Sequence, residues 1–542
     1  MKHVLHFLLF FLSVSTLSAQ DLLRGPYQQA ATTNSIKILW RTSEATVGWV
    51  KVGDTPDNLD RTFTEDKANV DHIVQVTGLS PYTKYYYAVG YGDVTLASGI
   101  DHYILTNKAY GDTSGMSVWV IGDAGKANEP QRLARNAFIE HSKEKPVDFF
   151  IQLGDNAYSD GTDEEYQRKV FSRDYAYDSI MRYLHFYTTP GNHDYNSVRP
   201  DVLDYVNAAK TTGPFFDIHE FPINGEAGGV PSGTELYYSF DYGHVHFISL
   251  NSEIFPWTGQ GESPMKIWLR QDLAQNKQPW TVVIFHQPPY SSGSHVSDDF
   301  WELMMFNMRT YFLPILEGAG VDLVLCGHSH VYERSYLING HYKKSWEFSG
   351  SHLVQGGSGN PDLGETYVKQ PGGKGTVYSV IGNSGSYTSE DDFPAKLHPV
   401  FYTRDAGRDV TGSIVLNVTG SLLQVEYINR FGEILDKYAI FKQIESQATP
   451  VKENYADKMG LSAYPNPSSD KLEINYKSVS ASKANILVTD LSGKQVLSQQ
   501  AGTTGGNAVV SINGWKQLPA GQYVVSVEID GNIGSLSVVK AK

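Results

Sequence analysis

Met116-Ser117-Val118-Trp119-Val120-Ile121 runs without a break into Gly122-Asp123-Ala124-Gly125. A short, nearly all-apolar run of this kind reads as a strand covered on both faces, and here it ends in a turn that carries an acid. The pattern recurs along the chain. Residues 147–153 lead into Gly154-Asp155-Asn156-Ala157-Tyr158, and residues 186–189 into Pro190-Gly191-Asn192-His193-Asp194. Residues 281–285 end at His286, and residues 321–326 lead into Gly327-His328-Ser329-His330. Helical periodicity at 129–143 and 265–276 separates these runs, so the region from 112 to 443 reads as an α/β domain. Ligands of such sheets gather at the carboxyl ends of the strands. The spacing therefore brings two aspartates, an asparagine and three histidines to one sheet edge.

Each turn alone says little. A Gly-Asp after a strand is commonly a turn or a helix cap, and His-x-His arises by chance in a chain with 17 histidines. Taken together the turns point to metal, because carboxylates buried side by side need cations. Carboxylate, amide oxygen and imidazole suit hard or borderline divalent ions and Fe(III), with no thiolate required. The single cysteine excludes an intrachain disulfide framework and every cysteine-based zinc site.

The set of turns resembles the metallophosphoesterase superfamily, and within it the purple acid phosphatases. The resemblance implies a four-layer sandwich of two sheets flanked by helices. It implies that Asp123, Tyr158 and His330 bind an Fe(III), that Asp155 bridges, and that Asn192, His286 and His328 bind a divalent Fe, Zn or Mn. His193 would face the substrate phosphate. His295, nine residues after His286, matches a second substrate histidine. Plant-like members carry two adjacent histidines there, whereas this chain has Val296 in the second place, which leaves the leaving-group acid unassigned. Asp194 is read either as orienting His193 or as a cap on the following turn.

The implied activity is hydrolysis of phosphate monoesters by in-line attack of a metal-bound hydroxide. Two alternatives stand beside it: a phosphodiesterase or nucleotide pyrophosphatase on the same scaffold, and a non-enzymatic surface binding module with a relic site.

The flanks complete the expected organisation. Lys2 and the apolar run 4–12, closing at Ala19, form a secretory signal over residues 1–19. Residues 22–108 alternate short β-branched and aromatic runs with turns, and 79–87 (LSPYTKYYY) resembles the late strands of a fibronectin type III sandwich. Residues 444–460 are a polar linker. Residues 461–542 open on Tyr464-Pro465-Asn466-Pro467, read as a small β-sandwich with a basic end, and resemble a type IX secretion sorting domain. That resemblance implies export machinery as a partner and a secreted or surface location. The sequence holds no low-complexity tract, and no run after the signal reaches transmembrane length. The balance of 44 basic against 59 acidic residues gives −15, which argues against nucleic-acid binding. Asp298, Asp299 and the run 163–165 read as solvated caps, and Cys326 as core filler.

Overall fold

The computed structural model describes residues 20–195, 212–254, 262–370, 372–389, 397–404, 409–444, 456, 459–478, 483–490, 495–502, 505–529 and 532–541. The signal expected over 1–19 and most of the linker lie outside them. The chain divides into two units, one ending at Ile444 and the other beginning at Glu445.

The first unit holds the expected α/β domain as two seven-stranded sheets. In the first sheet, Met116–Ile121, Phe149–Gln152 and Phe186–Thr188 run parallel, and Met116–Ile121 pairs antiparallel with Gly412–Thr419. The meander Gly412–Thr419, Leu422–Asn429 and Ile434–Lys442 continues that sheet. In the second sheet Val245–Ser249, Trp280–Ile284, Leu323–Cys326 and Val377–Ile381 are parallel neighbours.

The apolar runs are continuous because both faces of the first sheet are covered. Trp119 and Phe150 are in register on one face, where Trp119 stacks at 3.9 Å on Phe138 of the helix Glu129–Glu144. Phe149, one residue earlier, turns the other way and meets Phe247 and Phe240 of the second sheet at 5.6 and 5.9 Å. The sheets are also tied by charge. Buried Asp322, at the start of a second-sheet strand, takes Lys442 at 2.6 Å and Lys369 at 2.8 Å, both from the first sheet. Helix Glu129–Glu144 starts at Asn128, whose side chain accepts from the Gln131 N–H, with a proline in its first turn.

Residues 22–105 form the expected β-sandwich, with sheets Leu22–Gln29, Ile36–Thr46, Asn69–Val76 and Arg61–Thr64, Gly48–Gly53, Lys84–Tyr91, Val94–Ala97. Tyr85 accepts the Ser80 N–H at 3.0 Å and so ties the strand to the turn before it. This sandwich is fastened to the α/β domain. The Tyr27 hydroxyl donates to the Ile218 carbonyl at 2.8 Å, Tyr87 and Gln28 donate to the Arg182 carbonyl, and Tyr187 donates to the Ala31 carbonyl. The run 163–165 caps the helix Asp163–Lys169 as expected, and Asp163, still half-exposed, also pairs with Arg24 and Arg41. Asp298 likewise is engaged, accepting the Ser345 N–H at 3.0 Å.

In the second unit, Ser462–Tyr464, Glu473–Ser478 and Gly506–Ser511 form one sheet. Gln495–Gly502, Lys483–Asp490, Gly521–Ile529 and Asn532–Lys540 form the other. Alternate residues such as Ala484, Ile486 and Val488 are buried around Trp515, the period-two pattern of half-covered strands.

His246 pins the helix Pro264–Gln275 to the second sheet. Its Nδ1 lies 2.6 Å from Asp241 and its Nε2 2.8 Å from Asp272. Burial would lower this imidazole, but the two carboxylates outweigh it and raise it to about 9. Its folded value thus exceeds the unfolded value of about 6.5. The stabilisation is fully present below about pH 6.5 and is lost as pH rises through about 9. Thermal unfolding of the wild type should lose stability over that window, while His246→Gln, less stable at pH 6, should show a flatter profile. Parallel profiles would show that His246 carries no such charge.

Candidate metal centre

All five strand-end turns meet, but not at one sheet edge as the sequence suggested. Asp123, Asp155 and Asn192 follow strands of the first sheet; His286, His328 and His330 follow strands of the second. A sequence pattern shows that a strand is doubly covered, not which sheet it joins, so the partition was hidden.

Close approach explains the glycines. Gly154 has φ +89°, and a Cβ there would lie 2.5 Å from His286 Nδ1. A Cβ on Gly327 would lie 2.4 Å from Asp123 Oδ2. The residues beside them are strained as well: Asp123, Asp155 and His328 have φ of 54°, 50° and 68°. Left-handed backbone at non-glycine residues concentrates at functional sites.

The side chains fall into two groups. In one, the Tyr158 hydroxyl donates to Asp123 Oδ1 at 2.8 Å and lies 2.9 Å from His330 Nε2. In the other, Asn192 Oδ1 lies 3.2 Å from His286 Nε2 and 3.1 Å from His328 Nδ1. Asp155 belongs to both. Its Oδ1 is 3.3 Å from His286 Nε2, and its charge also acts on Tyr158. The ligand atoms of Asp155, His286 and His328 all lie within 4.8 Å of one another.

This cluster lacks positive charge. His286 Nδ1 donates to the Leu153 carbonyl at 2.8 Å, so the lone pair on Nε2 faces the oxygens of Asp155 and Asn192. Acceptors facing acceptors repel unless a proton or a cation lies between them. Burial opposes a proton on His286, yet the Asp155 and Asp123 carboxylates raise it to about 10. Burial and Asp155 together push the Asp123 carboxyl up against the pull of His286. Asp155 is held well below the carboxylate range: His286, His193 and His328 outweigh its burial. His328 Nε2 is buried without a hydrogen-bond partner. Two carboxylates, a phenol, an amide oxygen and three imidazoles fit hard or borderline cations.

Two further histidines stand at the rim. His193 Nδ1 lies 2.6 Å from the Ser159 carbonyl, and its ring packs 4.5 Å from that of Tyr158. His295 stacks on His328 at 3.8 Å, and its Nδ1 lies 2.8 Å from Glu302 Oε1. Glu302 also reaches within 3.7 Å of His328 Nε2. Sequence reasoning missed Glu302, because it sits in a loop at no motif spacing. It missed Lys126 as well, whose ammonium lies over the Tyr158 ring.

Asp194 answers to neither of its sequence readings in full. Its carboxylate accepts from the N–H groups of Gly191 and Asn156, from the Asn156 side chain and from the Tyr166 hydroxyl. It therefore clamps the turn of Asn192 to the turn of Asp155. Cys326 is buried filler, as expected.

Comparison with known proteins agrees with this geometry. The calcineurin-like phosphoesterase family model matches residues 116–332, which hold all nine residues. This chain carries a calcineurin-like phosphoesterase domain. In front of it the model of the purple acid phosphatase N-terminal domain matches 27–99, and behind it that of the secretion system C-terminal sorting domain matches 462–540. Purple acid phosphatase 18 of Arabidopsis thaliana is 32% identical over 34% of this chain and 41% of its own length. Acid phosphatase type 7 of Danio rerio is 24% identical over 69% of this chain and 77% of its own. The chain spans about half the length of the first curated relatives it matches. The structure of a purple acid phosphatase from yellow lupin (Lupinus luteus) seeds aligns with a TM-score of 0.56 at 17% identity. It covers 78% of this chain and 75% of its own, a likeness of fold. The sorting domain marks the chain for type IX secretion to the surface or beyond. Among the described residues no helix is long and apolar enough to cross a membrane.

The clamp makes a prediction for the phosphoesterase domain. Asp194→Ala leaves buried N–H donors of Gly191 and Asn156 unpaired, at roughly 1–3 kcal/mol for each. Urea unfolding should show that loss, and metal affinity should fall about 10- to 100-fold, as for other groups that orient ligands. Unchanged metal affinity would show that the two turns hold their places without the clamp.

Proposed function

We propose that this chain is an exported dimetal phosphatase acting on phosphate monoesters. The observation that carries the reading is the convergence, from two sheets, of two donor groups sharing Asp155, with His193 and His295 at the rim. Asp123, Tyr158 and His330 would hold one cation, Fe(III); Asn192, His286 and His328 would hold the other, a divalent Fe, Zn or Mn; Asp155 would serve both. Two such ions supply Lewis acidity and a water acidic enough to ionise near neutral pH or below.

The chain's own residues do the rest. Leu153 fixes the His286 tautomer through Nδ1, which leaves Nε2 for the ion. The Ser159 carbonyl holds His193 Nδ1–H and leaves Nε2 as the atom facing a phosphate oxygen. Glu302 accepts from His295 Nδ1 and leaves Nε2 to donate to the ester oxygen that departs. With Nδ1–H engaged, each ring donates through Nε2 as the imidazolium, and such donors add stabilisation where transition-state charge gathers. With Val296 beside it, His295 is the one histidine of that pair. The proposed division of the chain is signal 1–19, front sandwich 22–108, catalytic domain 112–443, linker 444–460 and sorting domain 461–542. Within the reading, a bis-ester turned over faster than a monoester would move the chain to the diesterases.

The histidines should separate into two kinds. His286→Ala and His328→Ala should release metal, since the carboxylates beside them then face fewer cationic partners. His193→Ala and His295→Ala should keep metal and lower kcat by about 10²–10⁴-fold on a phosphomonoester. Metal analysis of the four purified variants decides it; equal loss in all four would contradict the assignment.

Colour gives an independent check. Burial, with Asp123 and Asp155 close by, raises the metal-free Tyr158 phenol well above 10. Only a strongly charged ion would make it a phenolate. An Fe(III) phenolate absorbs in the visible range, whereas d¹⁰ zinc does not. Tyr158→Phe should therefore bleach the protein while two metals stay bound. A colourless, iron-free and fully active wild type would rule out iron at that position.

A further inference from the structure

Lys126 stands in the turn after Asp123, and its Nζ lies 2.9 Å from the centroid of the Tyr158 ring. The same ring packs on His193 at 4.5 Å, and its hydroxyl joins Asp123 to His330. Lys126 and His193 thus both pack on the ring whose hydroxyl meets Asp123. It is only partly exposed. Among the described residues its ammonium makes no hydrogen bond or ion pair; its contact is the π face of Tyr158. Three more deeply buried lysines of this domain face carboxylates: Lys369 and Lys442 meet Asp322, and Lys169 meets Glu165.

A half-buried ammonium without an anion is costly. The nearest carboxylates, Asp123 and Asp155, are both given to cations in the reading above. Once cations neutralise them, Lys126 has no anion of its own. An oxyanion entering beside His193, which packs on the same tyrosine ring, would supply one.

We propose that Lys126 is a phosphate-binding residue of this centre, its ammonium taking a non-bridging oxygen of the phosphate held by His193. The inference rests on the phosphatase reading for the identity of the oxyanion and on the geometry for its place. An ammonium with three donors on a flexible stem can follow the phosphate during displacement, as a point charge rather than a fork. Its main effect is on binding, because it meets the same dianion in substrate and product.

The test uses the full, metal-loaded protein with Lys126→Met and Lys126→Arg. Inorganic phosphate is titrated by calorimetry, and KM and kcat are measured on one phosphomonoester. Lys126→Met should weaken phosphate binding and raise KM about 10- to 100-fold, the range for a charge-assisted hydrogen bond. Metal content should stay unchanged and kcat should change far less. Lys126→Arg should recover most of the affinity and guards against a packing defect in the methionine variant. Wild-type phosphate affinity in Lys126→Met would overturn the proposal, as would an arginine variant as weak as the methionine one. The two readings fail separately. Lysine-dependent phosphate binding by a wild type that hydrolyses no phosphomonoester would sink the phosphatase reading and leave the oxyanion site standing. Active enzyme with lysine-independent binding would do the reverse.

Discussion

Asp123 and Asp155 are buried within one cluster, and nearly every other feature of the site follows from the need to compensate them. Neither carboxylate is tolerable alone in that interior, where a bare ion costs several kcal/mol even after relaxation. Histidines arrive from the second sheet, Tyr158 gives its proton toward Asp123, and the His328 N–H donates to Asp123 Oδ2 at 2.7 Å. The compensation is still incomplete, since His286 Nε2 meets two oxygens and needs a proton or a cation between them. A site so short of positive charge is built to be completed by cations.

Holding that arrangement requires a rigid frame. The left-handed backbone at Asp123, Asp155 and His328 costs on the order of 1–3 kcal/mol at each residue. It persists because each of these residues begins where a fully covered strand ends, so the packing of Trp119, Phe149 and their neighbours fixes the direction in which the chain leaves the sheet. The Asp194 clamp acts at the same level, joining two turns by backbone N–H groups rather than touching the reactive groups. Because the donors come from two sheets, the spacing between the two groups depends on how the sheets pack. Asp322 with its two lysines helps to set that packing from the opposite margin.

Much of this was legible in the residues. The strand Met116–Ile121 appears with the expected bounds, and the helix Glu129–Glu144 differs by one residue, because apolar period and capping chemistry are local. Six of the nine candidate residues stand out because each follows a strand end. The family resemblance of those turns adds Tyr158, His193 and His295, and the structure brings the nine together. What stayed hidden depends on contacts between distant segments. Glu302 lies in a loop whose path no period encodes. Asp163 looked like a surface cap, since nothing near it in sequence foretells Arg24 and Arg41. Asp194 was assigned by proximity to His193, whereas its hydrogen bonds go to loops fixed by tertiary packing.

The boundary between the front sandwich and the α/β domain is where the sequence said least. Tyr27 and Leu39 belong to the same hydrophobic core as Trp119 and Phe149, and carbonyls on either side are satisfied by hydroxyls from the other. Arg24 and Arg41 hold Asp163, the first residue of the short helix that follows the Tyr158 loop. The sandwich is therefore not a detachable cassette. In a lineage that shuffles domains, these two would be inherited or lost together, since a cut between them would expose an apolar face on each and loosen the loop that carries the phenol.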